Sequence, residues 1–223
     1  MTLLALEGAL GGFSAAVVRD GIVLATRHVA GNVALEAGLG AVSAVLAEAA
    51  VAPNELDRLA VGIGPGGFTG LRITIAYAKS LAQAWELPLV PVSSFDALEY
   101  GHDLERAFTV VVGRPGIISA RYRDGATIRR ASGPIREVLA AVLPANGPEE
   151  LAVVGAPEDV LAALAEGGSI VKPVAPLVMP PAAAVALAAG AARAAASAHA
   201  VSADYGEAPA AKLPSFAKTA RPR

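Results

Sequence analysis

Cysteine is absent from the 223 residues, which excludes disulfides, thiolate metal sites and a cysteine nucleophile. Histidine is scarce: His28, His102 and His199 stand far apart, so no helical His pair is available for zinc. Aromatics make up only 4%, so Ala, Val and Leu must fill the interior. Such side chains let helices approach closely, but each buries less area. Neither sign of charge dominates. Eighteen basic against 20 acidic residues leave a net charge of -2, which is not the composition of a strongly basic nucleic-acid binder. The Ala-rich run Pro181–Ala200 is interrupted by Gly190, Arg193 and His199, and reads as a packed helix rather than a membrane span. The opening "MTLLALEGALGG" lacks the basic start and long apolar run of a signal peptide. These features predict a cytoplasmic protein without a membrane partner.

What is present is apolar: 54% hydrophobic residues and a mean hydropathy of +0.53 supply a core for one large domain or two small ones. The chain also says one thing twice. "LLALEGALGGFSAAVVRDGIVLATRHV" and "FTVVVGRPGIISARYRDGATIRRAS" each read as three strands. Asp20–Gly21 and Asp124–Gly125 supply hairpin chemistry for the second turn of each. A helical run over Val33–Val51, a strand Leu59–Gly64 and a helix Gly70–Trp85 follow the first meander. A helix Pro134–Pro144, a strand Leu151–Gly155 and a helix after Pro157 follow the second. The reading is a duplicated βββαβα with mixed sheets, an α/β protein of two lobes. Residues 1–100 form the first lobe and 101–203 the second, meeting near Ser93–His102. Residues 204–223, ending in Lys212, Lys218, Arg221 and Arg223, form a partly mobile tail.

The strand, turn and helix of "VGIGPGGFTGLRITIAYAKSLAQAW" raise the question of an anion site, since helix N-termini favour negative charge. Neither the P-loop nor the dinucleotide fingerprint fits: Leu71 and Arg72 follow Gly70, and Thr69 holds the last position counted from Gly64. The loop Gly64, Pro65, Gly66, Gly67, Phe68, Thr69, Gly70 is therefore either a phosphate cradle or a rigid turn with Thr69 as a helix N-cap.

The two helices of the first half carry too few charges for surface helices. Leu35, Leu39, Val42 and Leu46 form one stripe; Ala34, Gly38, Ala41 and Val45 form a second of smaller residues. In the other helix Arg72, Lys79, Gln83 and Glu86 lie on one side. A surface helix has one apolar stripe. Two stripes predict burial on both sides, the second against another protein. Leu39, Val42, Leu71, Ile75 and Leu81 are expected in the core. Ala34, Gly38, Ala41, Val45, Arg72, Ala76 and Lys79 are expected to face the partner, with Arg72 as an anchor.

Catalytic chemistry is not evident. There is no G-x-S-x-G elbow. Asp20 and Asp124 are turn residues, Ser93 and Ser94 suit a helix cap, and Glu7 alone cannot make a divalent-metal site. No catalytic residue, metal or cofactor is assigned.

"GIGPGGFTGLRITIAYAKSLAQAWELPLVPVSSFDAL" (Gly62–Leu98) resembles the TsaB (YeaZ) family, through Gly66, Gly67, Phe68, Thr69, Gly70, Leu71 and Arg72 and the segment Val92–Ser94. The resemblance implies the two-lobe fold of actin, sugar kinases and Hsp70 (ASKHA). It implies a part in making N6-threonylcarbamoyladenosine at position 37 of ANN-reading tRNAs. It further implies a non-catalytic partner of a TsaD-type transferring paralogue, held through first-lobe helices. A TsaE-type ATPase would join the pair, and tRNA would be reached through the complex. The isolated chain is expected to pair with itself through the same faces. Two departures stand out: Glu7-Gly8-Ala9 where family members commonly carry Asp-Thr-Ser, and Val112-Gly113-Arg114 where they carry Asp-Ala-Arg. Two rivals remain. One is a small kinase of the same architecture using the Gly64–Gly70 loop for phosphate; the other is a glycoprotease-like hydrolase, disfavoured by the missing metal pair and nucleophile.

Overall fold

The computed structural model describes residues 1–30, 36–145, 150–174 and 181–206. Strands β1 (Thr2–Glu7), β2 (Phe13–Arg19) and β3 (Ile22–Val29) form a meander. They are followed by α1 (Gly38–Glu48), β4 (Arg58–Gly62), α2 (Phe68–Ala84), β5 (Leu89–Val92) and α3 (Ser94–Glu99). The pattern then repeats as β6 (Arg106–Arg114), β7 (Ile117–Asp124), β8 (Thr127–Pro134), α4 (Ile135–Val142), β9 (Glu150–Val154), α5 (Glu158–Glu166) and β10 (Ile170–Val174). A last helix, α6, spans Pro181–Ala189.

The two five-stranded sheets have the same connectivity, β3-β2-β1-β4-β5 and β8-β7-β6-β9-β10. In each, the meander pairs antiparallel and the later strands join parallel to its first strand. Asp20 (φ 51°) and Gly21 (φ 80°) turn the first hairpin in the left-handed region, the backbone that a two-residue turn of this twist demands. This is the duplicated two-lobe α/β arrangement with mixed sheets.

Central strands are covered on both faces, so they read as unbroken apolar runs rather than alternating ones. On one face of the first sheet, Leu4, Leu6, Phe13, Val17, Leu59 and Val61 pack beneath α1 and α2. On the other, Leu3, Ala5, Val18, Ala60 and Val90 pack with Ala97 of α3 and with α6. The second sheet buries Phe108, Val110, Tyr122, Leu151 and Val153 against α4 and α5. Its opposite face takes Phe95 and Leu98 of α3 with Leu10 from the β1–β2 turn.

Helix α3 thus touches both lobes, where the lobes are expected to meet. Ser93 caps it, its Oγ accepting from the Phe95 N–H. A buried ion cluster fixes it to the second sheet: Arg121 of β7 bonds Glu99 at 2.9 Å and also reaches Asp96, while Arg123 bonds Glu99 at 3.0 Å.

Helix α6 corrects the expected division of the chain. Residues up to 203 were expected in the second lobe, yet α6 lies under the first sheet. The Ala182 N–H donates to Ser14 Oγ of β2 at 3.1 Å. Ala182, Ala183, Ala184, Val185, Ala186 and Ala189 are all buried, which explains an Ala-rich helix with no polar side. Among the described residues no helix is long and apolar enough to cross a membrane.

Candidate functional site

The glycine loop is shaped by what presses on it. The Gly67 N–H donates to the Ala9 carbonyl at 2.8 Å, binding the loop to the β1–β2 turn. A Cβ on Gly66 would stand 2.4 Å from the Ala9 oxygen, and one on Gly70 2.0 Å from the Gly8 oxygen. On the other side the Asp204 N–H donates to Ile63, and a Cβ on Gly64 would meet the Asp204 oxygen at 2.3 Å. The glycines therefore admit the protein's own backbone. Helix α2 begins at Phe68 with Gly67 as N-cap and no side-chain cap bond, so the Thr69 cap expected from sequence does not form. The loop is a close-packed turn: Gly8, Ala9 and Asp204 stand where side chains on its glycines would be, and its Gly67 N–H is already bonded.

The same packing accounts for a departure at the first turn. A Cβ on Gly8 would stand 2.1 Å from Thr74 Oγ1 and 2.9 Å from the Gly70 oxygen. Threonine has no room there. Glu7, at the end of β1, is buried, and its carboxylate accepts from the Ala9 N–H at 2.6 Å and the Leu10 N–H at 3.1 Å. It caps the turn. Among the described residues no group of acidic and histidine side chains could hold a metal.

Burial pushes the Glu7 carboxyl up to about 7, against the pull of the backbone N–H groups of Ala9, Leu10 and Gly8. The ordinary value is 4.5, and the unfolded chain sits near it. Between those two pH values the folded protein holds a proton that the unfolded chain has released. Stability from this group is therefore full below pH 4.5 and declines as pH rises through about 7. The loss is of the order of 3 kcal/mol. Glu7→Gln keeps the shape without the titration. Its melting temperature, followed from pH 5 to pH 8, is expected to fall less than that of the parent chain.

The structure divides the expected partner-facing residues. Gly38, Ala41 and Val45 are buried in the chain's own core. A Cβ on Gly38 would stand 2.7 Å from the Tyr77 ring. Leu39, expected inside, is 49% exposed, while Val42, Leu71 and Ile75 are buried as expected and Leu81 is half-buried. The small-residue stripe of α1 turns inward because α1 packs on β2 and β3, with Gly38 against the Phe13 and Tyr77 rings. The outer stripe is Leu39, Ser43 and Ala47. Ala34 and Leu35 lie outside the described residues. In α2, Arg72 and Ala76 are exposed and Lys79 is half-buried.

Two features were not legible in the sequence. Phe68 is 52% exposed, with the Arg72 guanidinium 5.0 Å above its ring and Tyr205 4.9 Å away. Residues 201–205 return alongside α2 and leave a groove of ≈ 390 Å³ lined by Arg72, Ile75, Ala76, Lys79, Val201 and Tyr205. The one signal was Tyr205, an aromatic in an Ala- and Pro-rich stretch.

The exposed residues of α1 and α2 are mostly small, with Leu39 and Phe68 as the large apolar ones and Glu48, Arg72 and Gln83 as the long polar ones. Glu48, the sole charged residue of α1, pairs with Arg27 of β3 at 2.6 Å.

The chain is similar to known proteins in sequence and in fold. A family model described as TsaD, tRNA N6-adenosine threonylcarbamoyltransferase, matches residues 30–217. An uncharacterised protein of Mycobacterium tuberculosis is 38% identical over 161 residues, 70% of this chain and 73% of that protein. The tRNA threonylcarbamoyladenosine biosynthesis protein TsaB of Haemophilus influenzae is 32% identical over 125 residues, 56% of this chain and 51% of TsaB. The match thus spans about half of that relative. Among solved structures, YeaZ from Pseudomonas aeruginosa superposes with a TM-score of 0.68 at 24% identity, over 92% of this chain and 99% of YeaZ. A ROK hexokinase from Thermus thermophilus gives 0.52 at 14%, over 85% and 98%. These two likenesses concern the fold, which is the two-lobe ASKHA architecture. The chain belongs to the TsaB/YeaZ family, within the wider group that the TsaD model describes.

Proposed function

We propose that this chain is the non-catalytic assembly subunit of the complex that installs N6-threonylcarbamoyladenosine in cytoplasmic tRNA. It would hold a TsaD-type transferring paralogue against the outer face of α1 and α2. A TsaE-type ATPase would join the pair, and tRNA would be met through the complex. One observation carries the reading: the α1–α2 layer covers the first sheet and still presents Leu39, Ala47, Phe68 and Ala76 to solvent. A monomeric lobe gains nothing from such a surface, and a partner helix pair would bury it. The lobe assignment is proposed in revised form, with α6 counted with the first lobe.

Leu39→Glu and Ala76→Glu place charge on that face without touching the core. Each is expected to abolish co-purification with the paralogue of the same organism while leaving the melting temperature within a degree or two of the parent. Ala41→Arg is unsuitable, because Ala41 is buried and its replacement would unfold α1. In cells lacking the chain, mass spectrometry of tRNA is expected to show loss of the modified nucleoside, restored by the parent and not by Leu39→Glu. Tight ATP binding and turnover by the isolated chain, with paralogue binding unchanged in both variants, would reject the proposal in favour of a stand-alone kinase.

A further inference from the structure

The groove beside α2 is chemically lopsided. Apart from Ser202 and Tyr205, its uncharged lining is apolar: Ile75, Ala76, Val201 and Ala203. Its charged lining residues are Arg72 and Lys79, and no acidic side chain lines it among the described residues. Neither cation pairs with a carboxylate among the described residues. Arg72 lies over the Phe68 ring, and Lys79 Nζ donates to the His199 carbonyl at 3.3 Å. The two are seven residues apart on one helix, so their Cα atoms are separated by about 10.5 Å along the axis.

We infer that this groove docks an acidic segment of a protein partner, one with two carboxylates about 10.5 Å apart on either side of an apolar anchor. The inference rests on the assembly reading above and sharpens it by naming the partner's chemistry. Charge complementarity selects the occupant. Two cations flanking an apolar lining would gain charge-assisted bonds at the rim and burial between them. The chain's own continuation is a poor occupant, since Lys212, Lys218, Arg221 and Arg223 outnumber Glu207 there. RNA would satisfy the cations and leave the apolar lining without a partner.

The test uses the full chain and the purified paralogue. Calorimetry is expected to show binding that weakens at least tenfold between 50 and 500 mM salt. Lys79→Glu is expected to weaken it about tenfold, and Arg72→Glu with Lys79→Glu about a hundredfold. Carbodiimide is expected to couple Lys79 Nζ to an Asp or Glu of the paralogue, and changing that residue to Lys is expected to restore binding to Lys79→Glu. Should the parent bind while both charge reversals bind equally well, the groove inference fails and the assembly reading stands. Should the parent not bind at all, the assembly reading fails and takes the inference with it. Coupling of Lys79 to Glu207 of the same chain, or tRNA binding by the isolated chain that Lys79→Glu removes, would overturn the acidic-segment assignment.

Discussion

Gly70→Ala is expected to cost on the order of 3 kcal/mol or more and to leave little folded protein at 37 °C. The new methyl would sit 2.0 Å from the Gly8 oxygen and 3.1 Å from its carbonyl carbon. Those atoms are backbone, so no rotamer change relieves the overlap. Gly8 is held where it is by its own turn. The turn it belongs to is bonded to the loop through Gly67 and to Glu7 through Ala9 and Leu10. Urea denaturation monitored by far-ultraviolet dichroism reads the effect as a fall in midpoint. Gly40→Ala is the control of opposite sign. Gly40 lies inside α1 with no described residue outside its own helix turn within 4 Å of its absent Cβ, and the change should stabilise by about 0.5–1 kcal/mol. If both substitutions prove neutral, the close approach of the two turns is wrong.

Arg121→Met is expected to cost about 3 kcal/mol. The Arg121 side chain is only 4% exposed, and it bonds Glu99, itself 8% exposed. Removing one partner of a buried pair leaves a stranded charge, for a loss of roughly 3–5 kcal/mol. The lower end applies because Arg123 and the Thr109 hydroxyl still bond Glu99. The guanidinium also lies 5.2 Å over the Phe95 ring, so the change loosens α3 from the second sheet. Calorimetric scanning is expected to show a fall in melting temperature of about 6–12 °C. Asp96→Asn is the companion. Its side chain is 53% exposed, and its loss should cost less than about 1 kcal/mol.

The repeat was legible because its signals are local. Strands announce themselves as short apolar runs, and the Asp20–Gly21 turn marks the first hairpin by its own backbone requirements, whereas the second turns at Gly125–Ala126, one residue past the expected Asp124–Gly125, because Asp124 pairs with Thr127 as the last residue of β7. The facing of α1 was not legible. Its two apolar stripes compete for the inside, and side-chain size favours the one with Leu39. The deciding quantity is the gap at position 38, where the Phe13 and Tyr77 rings leave room for glycine alone. That gap is tertiary and has no local signature. The start of α2 was misplaced for a related reason: Thr69 looks like a cap, but the turn geometry is set by Ala9 and Asp204, far away in sequence. Helix α6 is apolar all round, so its composition predicts burial and says nothing about which sheet it lies against.

The return of α6 to the first sheet has a bearing on synthesis. Leu3, Ala5, Val18, Ala60 and Val90 leave the ribosome early, yet the helix that covers them starts at Pro181. At 5–20 residues per second, roughly 4–16 s separate the first lobe's emergence from the arrival of its cover. During that interval the nascent chain shows a naked apolar underside, the kind of surface that chaperones grip.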